Sequence, residues 1–261
     1  MTGERAEDLS VEDRRRKILE MINSNGKVKV TELSRMFGIS EVTIRNDLTE
    51  LENQGLLERI HGGAVSTYKN YYSMTFSDRL NTNTDEKRKI AVAAANLISD
   101  GDTVLLGSGT TPLFVAKALK GKKSLTIVTN SLSIAQEASF DLNFYVIMLG
   151  GNLISQYLFT YGDDTISQLK RYKADKLIIS PDGVSAEDGV STCYHHEAEI
   201  CRQMIARSNE CIVIADYTKI GRASFVHIES IDRVDRLITN DIANKDEIAA
   251  IRKMGVEVNL V

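Results

Sequence analysis

Between positions 40 and 46 stand four side chains of the kind that read nucleic acid. Ser40 and Thr43 offer hydroxyls to a phosphate or base edge, Arg45 a guanidinium matched to guanine, and Asn46 an amide matched to adenine. A second group, "GSGTTP" at 107–112, sets two glycines and three hydroxyls at the entry to a helix. Backbone N–H groups and the helix dipole at such an entry suit a phosphate or carboxylate. The plainer alternative is a turn and a cap, since strand-to-helix loops need both residue types. Here Thr111 is the expected cap and Pro112 the first helical residue. A third group is "CYHHEAEIC", where Cys193, His195, His196, Glu197, Glu199 and Cys201 are all possible ligands. No pair among them has a familiar zinc spacing such as H-E-x-x-H. A helix start with an acidic first turn explains the same residues, and no metal is expected.

The base-reading residues need a helix to present them. Ile44, Leu48 and Leu51 recur at i, i+4 and i+7 and form its buried face, with Ser40 as N-cap and Gly55 at its end. Upstream, "RRRKILEMINSNG" puts Ile18, Leu19 and Ile22 on one face. Next, "VTELSRMFGIS" predicts a short helix with Leu33, Met36 and Phe37 apolar, Thr31 as cap and Gly38 at the turn. Three helices, the last two joined by a tight Gly turn, follow the helix-turn-helix plan. "LLERIHGGAVSTY" then predicts two short strands around a Gly-Gly turn, a wing. In this plan the N-terminal part of the third helix meets base edges. Asp47 and Glu50, which phosphate would repel, belong off the groove. The alternative is a three-helix module for protein contacts with Arg14 to Lys17 as a solvated face.

Charge narrows the choice. The 261-residue chain has a formal net charge of -4, so nucleic-acid binding must come from local arrangement. Residues 14–46 hold eight basic and three acidic side chains, a net of +5. Arg16 and Lys17 are expected on phosphates, where they would set the salt dependence. Hydrophobic residues at 43% and charged residues at 26% suit a globular chain. The longest apolar stretch, "IAVAAANLI" at 90–98, is too short for a bilayer. The segment "MTGERAEDLS" is unlike a secretory signal, and three cysteines without C-x-x-C spacing fit reduced thiols. A cytoplasmic protein without membrane contact is expected.

From Asp85 onward, apolar β-branched runs alternate with amphipathic helices, which predicts an α/β domain with a mostly parallel sheet covered on both faces. The expected organisation is a winged helix at 10–66, a connector at 67–84 and a second domain at 85–261. In such sheets ligands sit at the carboxyl ends of strands, where "GSGTTP" and "SPDG" fall.

The segment "VTIRNDLTELENQGLLERIHGGA" resembles the DNA-binding part of DeoR-type bacterial transcription regulators. Asn46 stands where that family usually has a second Arg, which bears on the base it reads. "EKRKIAVAAANLI", "SGTT", "VTNSLSIA", "LGG" and "ADYTKIGRASF" resemble, in order, the family's sensor domain, so the resemblance runs from about Val11. It implies a fold similar to ribose-5-phosphate isomerases and CoA transferases, and a phosphorylated sugar as effector rather than a cofactor. By that resemblance Arg59 and His61 join the DNA contacts, and Ser108, Gly109, Thr110 and Thr111 hold the phosphate. Asn130, Ser131, Gly151, Asp182, Gly183, Asp216 and Lys219 line the sugar, and Glu197 faces the effector or a partner subunit. Many relatives carry Asp where Gly107 stands, which bears on the hydroxyl recognised. Asp182, Glu197, Asp216 and Lys219 could also supply acid–base groups for aldose–ketose isomerisation. Kinship of fold does not imply activity, and an attached winged helix suits a sensor better. The expectation is a non-enzymatic repressor of a carbohydrate operon, binding double-stranded operator DNA as a homodimer or homotetramer.

Overall fold

Ile18, Ile22, Leu33, Ile44 and Leu48 lose all exposure in one small core, which draws three helices together. The computed structural model describes residues 10–25, 27–66 and 74–261. The chain divides into two units, one ending at Asn83 and one starting at Thr84.

In the first unit, α1 (Val11–Asn25), α2 (Val30–Phe37) and α3 (Glu41–Asn53) are followed by a hairpin of β2 (Leu57–Ile60) and β3 (Gly63–Ser66). Gly38 ends α2 in the left-handed conformation, and Ser40 caps α3 by accepting from the Thr43 N–H. α3 closes with Gly55 at φ +72, as the Gly55 N–H reaches Glu52 O (2.8 Å) and the Leu56 N–H reaches Leu51 O (2.9 Å). Two expectations for α2 are corrected. Its N-cap is Lys29, without a side-chain cap, and Thr31 lies inside the helix. The reason is non-local: the Val30 N–H donates to Gly62 O of the wing turn at 2.9 Å. Val30 takes an inward place while Met36 stays 55% exposed. The wing also has an unexpected third strand, β1 (Lys27–Lys29), giving the antiparallel order β1–β3–β2. The turn consists of His61 and Gly62, and Gly63 already belongs to β3. A Cβ on Gly63 would lie 2.0 Å from Val28 O, so this crossing requires glycine. Residues 67–73 of the expected connector lie outside the described residues. Its later part forms α4 (Phe76–Asn81), started by a capping box of Thr75 and Asp78.

In the second unit, seven strands form one sheet, parallel throughout. They are β4 (Thr103–Leu106), β5 (Thr126–Thr129), β6 (Tyr145–Met148), β9 (Ala174–Ile179), β12 (Ser208–Ile214), β14 (Arg236–Thr239) and β15 (Glu257–Leu260), in the order β15–β14–β12–β9–β4–β5–β6. Ile178, Ile212, Val213 and Ile214 are fully buried, as expected of strands covered on both faces. The chain leaves β4 toward β5 and β6, then returns at β9 and runs the other way. The order therefore reverses between β4 and β9, and a crevice opens at such a switch point. Helices α5 (Thr84–Asn96), α6 (Thr110–Ala118), α7 (Leu132–Ala138), α8 (Asp163–Leu169), α9 (His195–Ala206) and α10 (Lys245–Lys253) complete the unit. The hairpin β7 (Asn152–Ile154) and β8 (Phe159–Tyr161), and the small sheet of β10 (Gly183–Ser185), β11 (Gly189–Thr192) and β13 (Val226–Glu229), were not apparent from the pattern. Strands of three or four residues, two of them (β10 and β11) buried at every position, carry no alternation to detect.

α1 is fastened to α3 by charge. Asp47, 2% exposed, accepts from Arg14 Nε at 2.7 Å and Arg15 Nε at 2.9 Å. Removing one partner of a buried pair leaves charge stranded, at roughly 3–5 kcal/mol. Asp47→Ala should cost the lower end of that range, because Arg15 keeps 29% of its side-chain exposure. Amide hydrogen exchange across residues 10–66 measures it. Protection unchanged from the wild type would contradict this account.

Candidate functional site

On the first unit, α3 turns Ser40, Arg45 and Asn46 outward, with Thr43 partly covered. Ser40 and Thr43 hydroxyls lie 3.0 Å apart, so both take part in the cap. Arg45 donates to Glu41 one turn back at 2.5 Å. Arg59 donates from the wing to Thr49 Oγ1 at 2.8 Å, and Thr49 donates to Arg45 O at 2.8 Å. The wing is thereby held against the exposed face of α3. His61 and Lys17 are exposed, and Arg16 pairs with Asp13 at 2.7 Å. The displayed positive charge is smaller than the +5 of residues 14–46, because Arg14 and Arg15 point to Asp47.

On the second unit, the carboxyl edge of the sheet gathers the other residues. Ser108 follows β4, and Gly109 at φ +124 is the N-cap of α6, with Thr110, Thr111 and Pro112 in its first turn. This corrects the expectation that Thr111 caps the helix. Pro112 is the third helical residue and not the expected first, a place it can take because first-turn N–H groups have no partner within the helix. Ser108 Oγ donates to Glu197 Oε1 at 3.1 Å. Thr192 Oγ1 lies 2.5 Å from Glu197 Oε2 and 3.1 Å from Asp182 Oδ2, and the Cys193 N–H donates to the same Asp182 oxygen at 3.0 Å. Ser108, Glu197, Thr192 and Asp182 therefore form one network across the switch point. Thr192 was missed, since nothing in its neighbourhood sets it apart from other strand threonines.

One strand over, Asn130 donates through Nδ2 to Thr160 O at 3.0 Å, and Ser131 Oγ accepts from the Ile134 N–H. Gly151 serves packing: a Cβ there would come 2.1 Å from Thr165 Oγ1. Gly183 pairs with Ser191 in the small sheet. Beyond β12, Asp216 caps the turn Tyr217–Lys219 by accepting from the Thr218 N–H, and Lys219 is 7% exposed. A second buried cation, Lys87 in the first turn of α5, also escaped the sequence reading. Burial, then Asp216 and Glu86, pushes the Tyr217 hydroxyl up to about 12.

Residues 14–70 match the DeoR-like helix-turn-helix domain, and residues 82–241 match the DeoR C terminal sensor domain. The chain belongs to the DeoR family of transcriptional regulators. The uncharacterized HTH-type transcriptional regulator YulB of Bacillus subtilis (strain 168) is 37% identical, over 96% of this chain and 97% of that protein. The glycerol-3-phosphate regulon repressor of Escherichia coli (strain K12) is 34% identical over 85% and 88%. The lactose phosphotransferase system repressor of Streptococcus mutans serotype c is 33% identical over 95% and 99%. Among solved structures, a ribose 5-phosphate isomerase from Plasmodium falciparum aligns over 52% of each chain, with 16% identity and a TM-score of 0.39.

The cysteine–histidine segment of this DeoR-family chain is divided between surface and core, with both histidines exposed. His195 pairs with Glu199 at 3.0 Å, and Cys201 is buried. Among the described residues, no three of His, Cys, Asp and Glu are grouped to hold a metal. Burial first, then the charge of Glu197, pushes the Cys201 thiol well up, and burial with Asp235 takes Cys211 to about 12. Both stay protonated at pH 8, and a thiol is a poor nucleophile. A disulfide reagent at pH 8 should therefore label Cys193 alone in the folded protein, and all three cysteines after denaturation. Peptide mapping reads the outcome, and rapid labelling of Cys201 or Cys211 in the native state would count against it.

Proposed function

We propose that this DeoR-family regulator represses a carbohydrate-utilisation operon and that a phosphorylated sugar at the carboxyl edge of the sheet changes its affinity for operator DNA. The observation that carries this reading is the pairing, in one chain, of a capped and exposed α3 with a switch point bearing Ser108 to Thr111. Relatives named for repressing a glycerol-3-phosphate regulon and a lactose phosphotransferase system support the choice of ligand class.

On DNA, Arg45 must leave Glu41. An exposed pair one turn apart is worth only about 0.3–0.5 kcal/mol, whereas a bidentate contact to guanine gives about 1–3 kcal/mol of discrimination. The base contact wins. Asn46 would read adenine, while Arg16, Lys17, Arg59 and His61 would meet the backbone or its margin. On the ligand side, the phosphate would take the N–H groups of Gly109 to Thr111 with Lys219 as counter-charge, and Asp182, Asp216 and Glu197 would accept sugar hydroxyls. A sensor rather than an isomerase fits carboxylates that are held by Thr192, Ser108 and Thr218. The second unit would supply a homodimer or homotetramer, so that two winged helices meet two half-sites in the cytoplasm.

Arg45→Ala should weaken specific operator binding by about 1–3 kcal/mol and random DNA much less, as read by competition titration. Equal loss on both would make Arg45 a phosphate contact. Lys219→Ala should bind operator near normally yet lose its response to a sugar phosphate, while the unphosphorylated sugar has little effect on the wild type. Operator DNA should in turn weaken effector binding by the factor through which effector weakens operator binding, typically about 5–150-fold. A normal response in Lys219→Ala would move the anion site elsewhere.

A further inference from the structure

Two tyrosines join the separate halves of the carboxyl edge. Tyr157 lies in the β7–β8 hairpin, and Tyr194 is the N-cap of α9, three positions ahead of Glu197. Their hydroxyls meet at 2.6 Å, their ring centroids are 4.8 Å apart, and Gln156 Nε2 donates to the Tyr157 hydroxyl at 2.9 Å. The hairpin is tied to the end of β5, where the Thr160 N–H donates to Asn130 O (2.8 Å) and the Leu132 N–H to Leu158 O (2.9 Å). Across the pair, Glu197 accepts from Ser108. The perimeter thus runs from Asn130 through the tyrosines to Glu197 and Ser108. Leu158 holds it at φ +56, a conformation that is costly for a branched side chain and that persists only where its surroundings impose it.

A second observation points to a ligand group. Asn130 is 2% exposed, and its amide orientation follows from Nδ2 facing the carbonyl of Thr160. Its Oδ1 then meets no donor among the described residues. A buried acceptor left unmatched is unfavourable, and an ionised phosphate has only acceptors to offer. The donor that suits Oδ1 is a hydroxyl. Tyr157 is 5% exposed and braced by Gln156, whereas Tyr194 is only partly buried.

We propose that Tyr194, positioned by Tyr157, is the wall that reads the sugar, packing its ring on the C–H face of a cyclic hexose phosphate. One hydroxyl of that sugar donates to Asn130 Oδ1, and its phosphate lies at Gly109 to Thr111. This assignment rests on reading the carboxyl edge as the effector site. It selects ring sugars over glycerol phosphate, which has no ring face to stack. It also separates two contributions, an anion term and a sugar term.

Calorimetric titration of the full chain with glucose 6-phosphate, galactose 6-phosphate, fructose 6-phosphate, glycerol 3-phosphate and inorganic phosphate tests both. The wild type should bind the best hexose phosphate at least about tenfold more tightly than inorganic phosphate. Tyr194→Ala and Tyr194→Leu should lose about tenfold for that hexose phosphate, in line with the strength of aromatic contacts, and keep inorganic phosphate within about twofold. Tyr157→Phe, which keeps the ring and loses the hydroxyl anchor, should show a smaller loss of the same kind. Equal losses for both ligands, or none for either, would overturn the wall, as would a wild type that does not prefer a hexose phosphate to inorganic phosphate. A wild type that binds none of the five ligands would overturn the effector site itself, and the wall with it.

Discussion

The central constraint is the adjacency of β4 and β9, two parallel neighbours whose chains depart in opposite directions. Their contact continues one residue past the end of β4, as the Gly107 N–H donates to Ile178 O at 2.9 Å. Ser108 and Asp182 are consequently delivered to the two lips of one crevice. The same packing bears on Gly107. A Cβ there would come 3.0 Å from Ile179 Cγ2 and 3.4 Å from Ile178 O, so a larger residue would require Ile179 to yield by a few tenths of an ångström. Gly107 leaves the crevice without the carboxylate that the resemblance places there in many relatives. Acidic groups at the crevice come from Asp182 and Glu197 instead.

Charge is arranged in the same manner in both units: what the sequence counts is not what the surface presents. In the winged helix, Asp47 draws Arg14 and Arg15 inward and leaves Arg16, Lys17 and Arg45 outside. At the crevice, two carboxylates stand near a helix entry that suits an anion, and Thr192 has one proton for both of them. An anion placed directly on Glu197 would be repelled. For the proposed effector, the favourable orientation would put phosphate toward the N–H groups of α6 and Lys219, and hydroxyls toward the acids. A phosphorylated polyol or sugar has both kinds of group, whereas a simple dicarboxylate has only acceptors.

Much of this was legible in the residues. Gly38, Ser40 and Gly55 carry their roles locally, through φ and a single cap, so the start and end of α3 could be read from letters. Short apolar runs rich in Ile and Val likewise announce β9 and β12. The rest depends on partners distant in sequence. Val30 opens α2 because Gly62 supplies an acceptor, which made Thr31 unnecessary as a cap. β1 exists because Gly63 lets β3 approach Val28. Thr192 and Tyr194 matter only because the small sheet and α9 bring them to the crevice. Local pattern cannot contain such information, and the resemblance covered Glu197 but neither of its neighbours.

The size of these contacts bears on how a ligand could act at a distance. Coupling between two sites is typically about 1–3 kcal/mol, and a hydrogen bond to a charged group such as a carboxylate contributes about 1.5–3 kcal/mol. Exchanging one or two such bonds is therefore enough, and no refolding is required. Ser108 is placed for that exchange, because its single proton goes either to Glu197 or to an arriving oxygen. Were the proposed ligand to take it, Glu197 would lose one of its donors, and the first turn of α9 would lose a tie to the loop after β4. That turn also carries Tyr194 and, through Tyr157, the β7–β8 hairpin. A change at one hydroxyl would thus reach three separate elements of the unit, and a ligand can shift an equilibrium only through such differential contacts.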